Sequence, residues 1–150
     1  MFIGVNPISL DDKGRMAIPT RYRPVLLGDS EGRVVVTADR DRCLALYPGS
    51  EWGTIERKLA RLPSLNRQAQ AIKRLTLGYA TECELDGSGR ILISTALREF
   101  AGMQRDVVLV GQGHKFEIWD AAVWSQRRDV WLEGLSKDED LPPELQSLSL

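Results

Sequence analysis

The chain contains an internal repeat, in which one stretch of sequence occurs twice. Residues 10–23 read LDDKGRMAIPTRYR, and residues 85–98 read LDGSGRILISTALR. Seven of the fourteen aligned positions are identical, at a constant offset of 75 residues. Because a unit of roughly seventy residues can bury only a thin core of its own, we expect the two halves to share one core. The repeat therefore predicts a pseudo-symmetric molecule.

The hydrophobic pattern predicts short strands in adjacent pairs. Each repeat reads as a strand, a glycine-containing turn, a return strand, a short helix and two further strands. Thr20 is expected to cap the first short helix through Leu27, and Ser50 and Asp120 are expected to cap longer helices that carry Trp52 and Trp124 as packing anchors. The predicted organisation is repeat 1 at residues 5–51, linking helices at 52–79, repeat 2 at 80–123, and a C-terminal helix with a frayed acidic tail at 124–150.

Adjacent strand pairs favour antiparallel hairpins over a doubly wound parallel sheet. The predicted fold class is α+β, with two hairpins from each repeat closing one small β-barrel and the helices packed outside it. In this arrangement the turn at Gly14 joins two strands that pair with each other, and the turn at Gly89 does the same in repeat 2.

Composition and charge limit the classes of function. The chain has 150 residues, is 43% hydrophobic and has a formal net charge of −1, so any attraction to nucleic acid must be local. The net charge is +5 over residues 53–77 and −4 over residues 133–150. The N-terminus lacks the features of a signal peptide, and no apolar stretch is long enough for a membrane span, so a cytoplasmic location is expected. Cys43 and Cys83 are expected to be reduced and buried.

The two glycine turns are the candidate binding elements. A turn needs its glycine and its aspartate, but it does not need the arginine that follows the glycine in both copies. The residues predicted to shape the turns are Asp11, Gly14, Asp86 and Gly89. The basic residues at or near these turns, which could reach nucleic-acid phosphates or base edges and are the predicted DNA-binding residues if the partner is DNA, are Lys13, Arg15, Arg90, Arg21 and Arg23. A purely structural role, with each arginine paired to its aspartate, stays open for Arg15 and Arg90, as does a solvated face or a subunit contact for the basic residues of the linking helices.

Enzymatic functions have little support in the sequence. The single histidine, His114, lies in a predicted turn, and Ser88 does not have the spacing of a nucleophile elbow. The Asp39–Arg42 run lacks the glycine and the later glutamate of a calcium loop. We therefore expect no catalytic residue, no metal site and no cofactor.

With these motifs the chain resembles the MraZ family over residues 1–150. The resemblance rests on the duplicated D-x-x-G-R, on the opening Met-Phe, and on the later Tyr-Pro, Glu-Trp, Leu-Gly and KFEIW segments in their order and spacing. It implies a double-split, swapped-hairpin β-barrel of the AbrB/SpoVT type that assembles into rings. It also implies a bacterial transcriptional regulator, usually a repressor of its own division and cell-wall gene cluster, that binds direct repeats in duplex DNA.

In that family the D-x-x-G-R turns face DNA, so the resemblance assigns this role to Lys13, Arg15 and Arg90. Ser88 stands in the second turn where the first has Lys13, so the first turn is expected to dominate. The prediction is a cytoplasmic, nucleoid-associated, sequence-specific DNA-binding regulator without a membrane partner. The alternative is a non-catalytic protein–protein interaction module, an antitoxin-like barrel whose turns clasp an acidic partner.

Overall fold

The computed structural model describes residues 1–135 and 141–150, and within them the chain forms eight strands and six helices. The strands are β1 (Val5–Ser9), β2 (Arg15–Ala17), β3 (Arg33–Ala38), β4 (Leu44–Pro48), β5 (Thr81–Glu84), β6 (Arg90–Leu92), β7 (Asp106–Gly111) and β8 (Phe116–Asp120). The helices are α1 (Arg23–Ser30), α2 (Gly49–Ala60), α3 (Arg67–Thr76), α4 (Thr95–Phe100), α5 (Ala121–Gly134) and α6 (Pro143–Gln146). The predicted α+β class is confirmed.

Strands from both repeats form one antiparallel sheet. Its order is β1-β7-β8-β4-β3-β5, and β2 and β6 form a separate antiparallel ribbon. The hairpins β3–β4 and β7–β8 each lie within one repeat, as the sequence predicts. The first strands are exchanged between the repeats, because β1 pairs with β7 of repeat 2 and β5 pairs with β3 of repeat 1. The two repeats therefore share one sheet.

The prediction that each glycine turn joins two mutually paired strands is wrong. The chain does turn at Gly14, but β2 then pairs with β6, with Met16 opposite Ile91. The closed barrel is not observed either, because the outer strands β1 and β5 are not paired with each other within the described residues, and the sheet stays open. Local alternation determines which side chains face the core, but it does not determine which distant strand becomes the partner.

The main hydrophobic core lies between the sheet and the β2–β6 ribbon. Met16 and Ile91 project from the ribbon into this core and are 0% and 1% exposed. Phe2, Tyr22 and Phe116 form an aromatic group in the same core, with ring centroids 4.3–6.0 Å apart. The ribbon is thus anchored by its inner face, which leaves its outer face free for solvent.

Two smaller clusters lie on the outer face of the sheet. Trp52 of α2 packs on Tyr47 in one cluster, and Trp119, Trp124 and Trp131 pack together under α5 in the other. The prediction that Trp52 and Trp124 are packing anchors is confirmed. The outer face of the sheet is therefore covered by side chains of α2 and α5.

Some predicted helix ends differ from the structure. Helix α1 begins at Arg23 rather than just after Thr20, because Pro24 suits the first turn of a helix, and it ends at Ser30 rather than at Leu27. Ser50 lies inside α2, where its backbone N–H donates to Ser30 Oγ, so it is not the N-cap. Asp120 caps α5 as predicted. Part of the predicted acidic tail, residues 136–140, lies outside the described residues.

The two cysteines differ in environment, and both are free thiols. Cys43 is fully buried, whereas Cys83 is only half-buried. The prediction of burial therefore holds fully for Cys43 alone.

Candidate nucleic-acid interface

The first turn is closed by the side chain of Asp11. Its Oδ1 accepts hydrogen bonds from the backbone N–H of Lys13 at 3.0 Å and of Arg15 at 2.8 Å. The backbone N–H of Gly14 donates to the Asp11 carbonyl at 3.0 Å, and Gly14 has φ +84°, which a residue with a side chain rarely adopts. The hydrogen bond from the Arg15 N–H is the main reason why the pKa of Asp11 is lowered to about 2. Asp11 is therefore a carboxylate that sets the turn.

The second turn repeats this geometry. Asp86 Oδ1 accepts from the backbone N–H of Ser88 and of Arg90, each at 2.9 Å, and Gly89 has φ +76°. The hydrogen bond from the Arg90 N–H is again the main cause of the lowered pKa of Asp86. The sequence repeat is therefore also a repeat of side-chain geometry.

Each aspartate also holds the arginine of its own turn. Arg15 Nε lies 2.6 Å from Asp11 Oδ2, and Arg90 Nε lies 3.1 Å from Asp86 Oδ2. Arg90 Nη1 also lies 3.7 Å from Asp11 Oδ2, which links the two turns. Because Nε is fixed in each case, the guanidinium plane is oriented while about a third of each arginine side chain is exposed (32% for Arg15 and 34% for Arg90).

The β2–β6 ribbon brings the two arginines onto one surface. Arg15 lies opposite Leu92, and Ala17 lies opposite Arg90. Residues opposite each other in an antiparallel pair point to the same side, and alternate residues of a strand share a face. The outer face of the ribbon therefore carries Arg15, Ala17, Arg90 and Leu92, while the intervening residues face the core.

Arg23 and Arg98 cross between the repeats. Arg23 of repeat 1 donates from Nε to the Ile18 carbonyl at 2.7 Å and lies against Gly89 of the second turn, where an added Cβ would collide with its Nε. Arg98 of repeat 2 donates from Nε to the Ile93 carbonyl at 3.1 Å. It lies against Gly14 of the first turn, where an added Cβ would be 2.8 Å from its Nε. Each glycine turn is thus flanked by an arginine of the other repeat.

Arg98 was absent from the residues predicted to contact DNA. The sequence did contain a signal for it, because Arg23 and Arg98 occupy identical positions of the two repeats. What it could not reveal is that each arginine lies beside the glycine of the opposite repeat, since that placement depends on the pairing of β2 with β6.

The two remaining predicted residues, Lys13 and Arg21, have different surroundings. Lys13 is exposed in the first turn. Arg21 is held elsewhere, because its guanidinium donates to Asn6 Oδ1 of β1 and to Tyr22 Oη. The structure therefore gathers Lys13 with Arg15, Arg90 and Arg23, whereas the contacts of Arg21 attach it to β1.

One cluster in the described part of the chain has the residue types of a metal site. Side-chain atoms of Asp39, Cys43 and Glu117 lie within 4.8 Å of one another. Burial raises the pKa of the Cys43 thiol and of Glu117, and Glu117 Oε1 accepts a hydrogen bond from Trp119 Nε1 at 3.1 Å. Metals bind the deprotonated forms of these groups, so this environment favours the forms that do not bind a metal.

A protein-family model matches the chain twice. It is described as "MraZ protein, putative antitoxin-like", and it matches residues 1–75 and 76–138. The chain belongs to the MraZ family. Proteins of Methylococcus capsulatus (55% identical, over 99% of both chains), Halorhodospira halophila (53%, over 100% of both) and Coxiella burnetii (53%, over 100% of both) are each named transcriptional regulator MraZ. The resemblance seen in the sequence is thereby confirmed.

Among residues 1–135 and 141–150, no helix combines the length and the apolar character that crossing a membrane requires.

Proposed function

We propose that this chain is a sequence-specific DNA-binding transcriptional regulator that contacts the duplex through its β2–β6 ribbon. The observation that carries the proposal is the outer face of this ribbon, where Arg15 and Arg90 are oriented by carboxylates. The major groove of B-DNA admits a two-stranded β-ribbon, and oriented guanidinium groups suit both guanine edges and phosphates. The names of the MraZ relatives support the same function.

The proposed DNA contacts lie at the centre of the ribbon and at its ends. Arg15 and Arg90 are at the centre, and Lys13, Arg23 and Arg98 lie at the ends of the ribbon beside the two turns. Arg21 is a peripheral contact, because its guanidinium already bonds to Asn6 and Tyr22. Asp11 and Asp86 position the arginines and repel phosphate, so they do not themselves contact the backbone of DNA.

The proposed architecture is a double-split, swapped-hairpin barrel. Two features support it: the exchange of β1 and β5 between the repeats, and the ribbon, which lies beside β1 and β5 at the open side of the sheet. Such a barrel presents the two glycine turns and the ribbon between them as one continuous surface. Its proposed domain boundaries are those expected from the sequence, with repeats at residues 5–51 and 80–123.

We further propose that subunits assemble into a ring and bind direct repeats in the promoter of their own division and cell-wall gene cluster, usually as a repressor. Val5 of the outer strand β1, and Ile3 just before this strand, are 55% and 73% exposed, which suits a contact with a second copy. A near-neutral subunit gains little from long-range attraction, so several ribbons must act together on the DNA. The proposed location is the cytoplasm, at the nucleoid, and the proposed function includes no catalytic step and no cofactor.

The deciding experiment measures DNA binding by an arginine variant. Arg15→Ala is expected to weaken binding to the DNA upstream of the chain's own gene by more than about tenfold in an electrophoretic mobility shift, because it removes a cation from the centre of the ribbon. Arg128→Ala on α5, which removes an exposed arginine paired with Asp129, is the matched control and should bind as the wild type does. Circular dichroism checks that both variants are folded.

Unchanged binding by Arg15→Ala would contradict the proposal. If the wild type binds no DNA and instead retains an acidic protein through the same turns, the interaction-module alternative is correct.

A further inference from the structure

Leu92 is a large apolar side chain on a surface that otherwise carries arginines. It lies on β6 directly opposite Arg15 of β2, and 54% of it is exposed. Its neighbour Ile91 points into the core and is 1% exposed, so the alternation along β6 fixes Leu92 on the outer face. Within the described residues, Leu92 belongs to none of the three hydrophobic clusters.

The position of Leu92 beside two arginines is more informative about its role than its exposed fraction alone. Single exposed leucines are ordinary on protein surfaces and need no explanation. Leu92, however, lies between two arginines that the proposed function directs at DNA, and its repeat equivalent, Ala17, is also apolar and exposed. Two of the four outward positions of the ribbon, one in each repeat, are therefore apolar.

We propose that Leu92 contacts the C5-methyl group of a thymine in the major groove and so contributes to sequence specificity. This inference rests on the proposed function. The thymine methyl is the apolar group that base pairs present in that groove, and an exposed leucine is stabilised by losing water against it. No hydrogen-bonding base edge offers a comparable partner to a leucine.

The geometry also indicates which base is contacted. Cβ atoms of directly opposite residues in an antiparallel pair lie about 4.5–5.5 Å apart. Base pairs of B-DNA are stacked about 3.4 Å apart along each strand. When Arg15 contacts a base, Leu92 therefore reaches a base pair next to it. Ala17 has a much shorter side chain, so its contact with a thymine methyl group beside Arg90 is weaker. The two repeats therefore contribute unequally to sequence specificity.

The test compares thymine with uracil, which lacks the C5-methyl group. The probe is the duplex segment that the wild-type protein protects in a footprint of the DNA upstream of its own gene, made once with thymine and once with uracil at every thymine. The wild type should bind the uracil duplex about fourfold more weakly for each methyl contacted, the factor expected for one buried methyl-sized group. Leu92→Ala should lose most of this preference for thymine, because only the weaker contact of Ala17 remains, and its affinity for the thymine duplex should fall toward that of the wild type for the uracil duplex.

Two further variants make the result decisive. Leu65→Ala removes a leucine that is 94% exposed between α2 and α3, and it should keep the preference for thymine. Arg15→Ala tests the proposed function separately, because it should weaken binding to both duplexes. Equal binding of the two duplexes by the wild type, or an unchanged preference in Leu92→Ala, would overturn the role of Leu92 while leaving the role of Arg15 intact. Unweakened binding by Arg15→Ala would instead overturn the proposed function.

Discussion

At the scale of the residue, Asp11 controls both the shape of the first turn and the direction of Arg15. Its Oδ1 accepts two backbone hydrogen bonds, and its Oδ2 holds Arg15 Nε at 2.6 Å. Asn would keep one acceptor oxygen but lose the charge that attracts the guanidinium. We expect Asp11→Asn to weaken DNA binding several-fold, about the effect of one charge-assisted hydrogen bond. Fluorescence anisotropy on the protected duplex measures this, with Asp12→Asn, at the exposed neighbouring carboxylate, as the matched control.

If both variants bind equally well, Asp11 does not orient Arg15 for DNA.

The pKa of Asp11 gives a second prediction at this scale. Folding lowers this pKa from 3.8 to about 2, mainly through the hydrogen bond from the Arg15 N–H. A carboxyl whose pKa is lowered in the folded state stabilises that state fully above its ordinary pKa, and the stabilisation is lost as the pH falls toward the folded value. We therefore expect the stabilisation that this carboxylate gives to the first turn to be complete above pH 3.8, to decline below it, and to be lost as the pH falls through about 2, where Asp11 of the folded chain becomes protonated. NMR titration of the Asp11 carboxyl carbon checks this, and a midpoint at or above 3.8 would contradict it.

At the scale of the element, the inner face of the β2–β6 ribbon packs in the core, whereas its outer face is exposed to solvent. Ile91 faces the core and is 1% exposed, whereas its neighbour Leu92 is 54% exposed. Ile91→Ala should lower the free energy of unfolding by about 2–5 kcal/mol, because it leaves a cavity in a packed core. Leu92→Ala should change it by less than about 0.5 kcal/mol. Urea denaturation of the two variants measures both values, and a similar loss in both would show that the ribbon does not have distinct inner and outer faces.

The same ribbon explains how far the sequence could predict the fold. The turns at Gly14 and Gly89, the hairpins β3–β4 and β7–β8, and the buried tryptophan of α2 all depend on contacts near in sequence, and their patterns were visible there. The pairing of β2 with β6 joins residues about half the chain apart. A three-residue strand has too few side chains to specify its partner, so the local pattern favoured a hairpin that the structure does not contain.

The candidate site, like the fold, could be predicted from the sequence only in its local parts. The cations Lys13, Arg15 and Arg90 were recognisable because they occur beside a glycine in a repeated turn. Arg98 was missed and Arg21 was predicted to contact DNA together with Arg23, since only the three-dimensional arrangement shows which arginine lies beside which glycine. A repeat in sequence therefore identified the parts of the site but not the way in which the two repeats combine.

At the scale of the whole molecule, a near-neutral chain must concentrate its cations to bind a polyanion. The formal net charge is −1, yet Lys13, Arg15, Arg23, Arg90 and Arg98 all lie at or beside one ribbon. A single ribbon has few phosphate contacts, so its affinity for DNA should be low on its own. If subunits form a ring, neighbouring ribbons meet successive DNA repeats, and each added contact is effectively intramolecular.

This argument predicts how affinity depends on the number of DNA repeats. Duplexes with one, two and three copies of the protected repeat, at their natural spacing, should bind with affinities that rise by about 10²–10⁴-fold from one copy to several. Changing the spacing by half a helical turn should remove most of this gain, because the ribbons of adjacent subunits then face opposite sides of the duplex. Native mass spectrometry on the same samples gives the number of subunits bound to each duplex. Equal affinity for one copy and three, or binding by a single subunit, would show that one ribbon is sufficient and that the ring has no part in recognition.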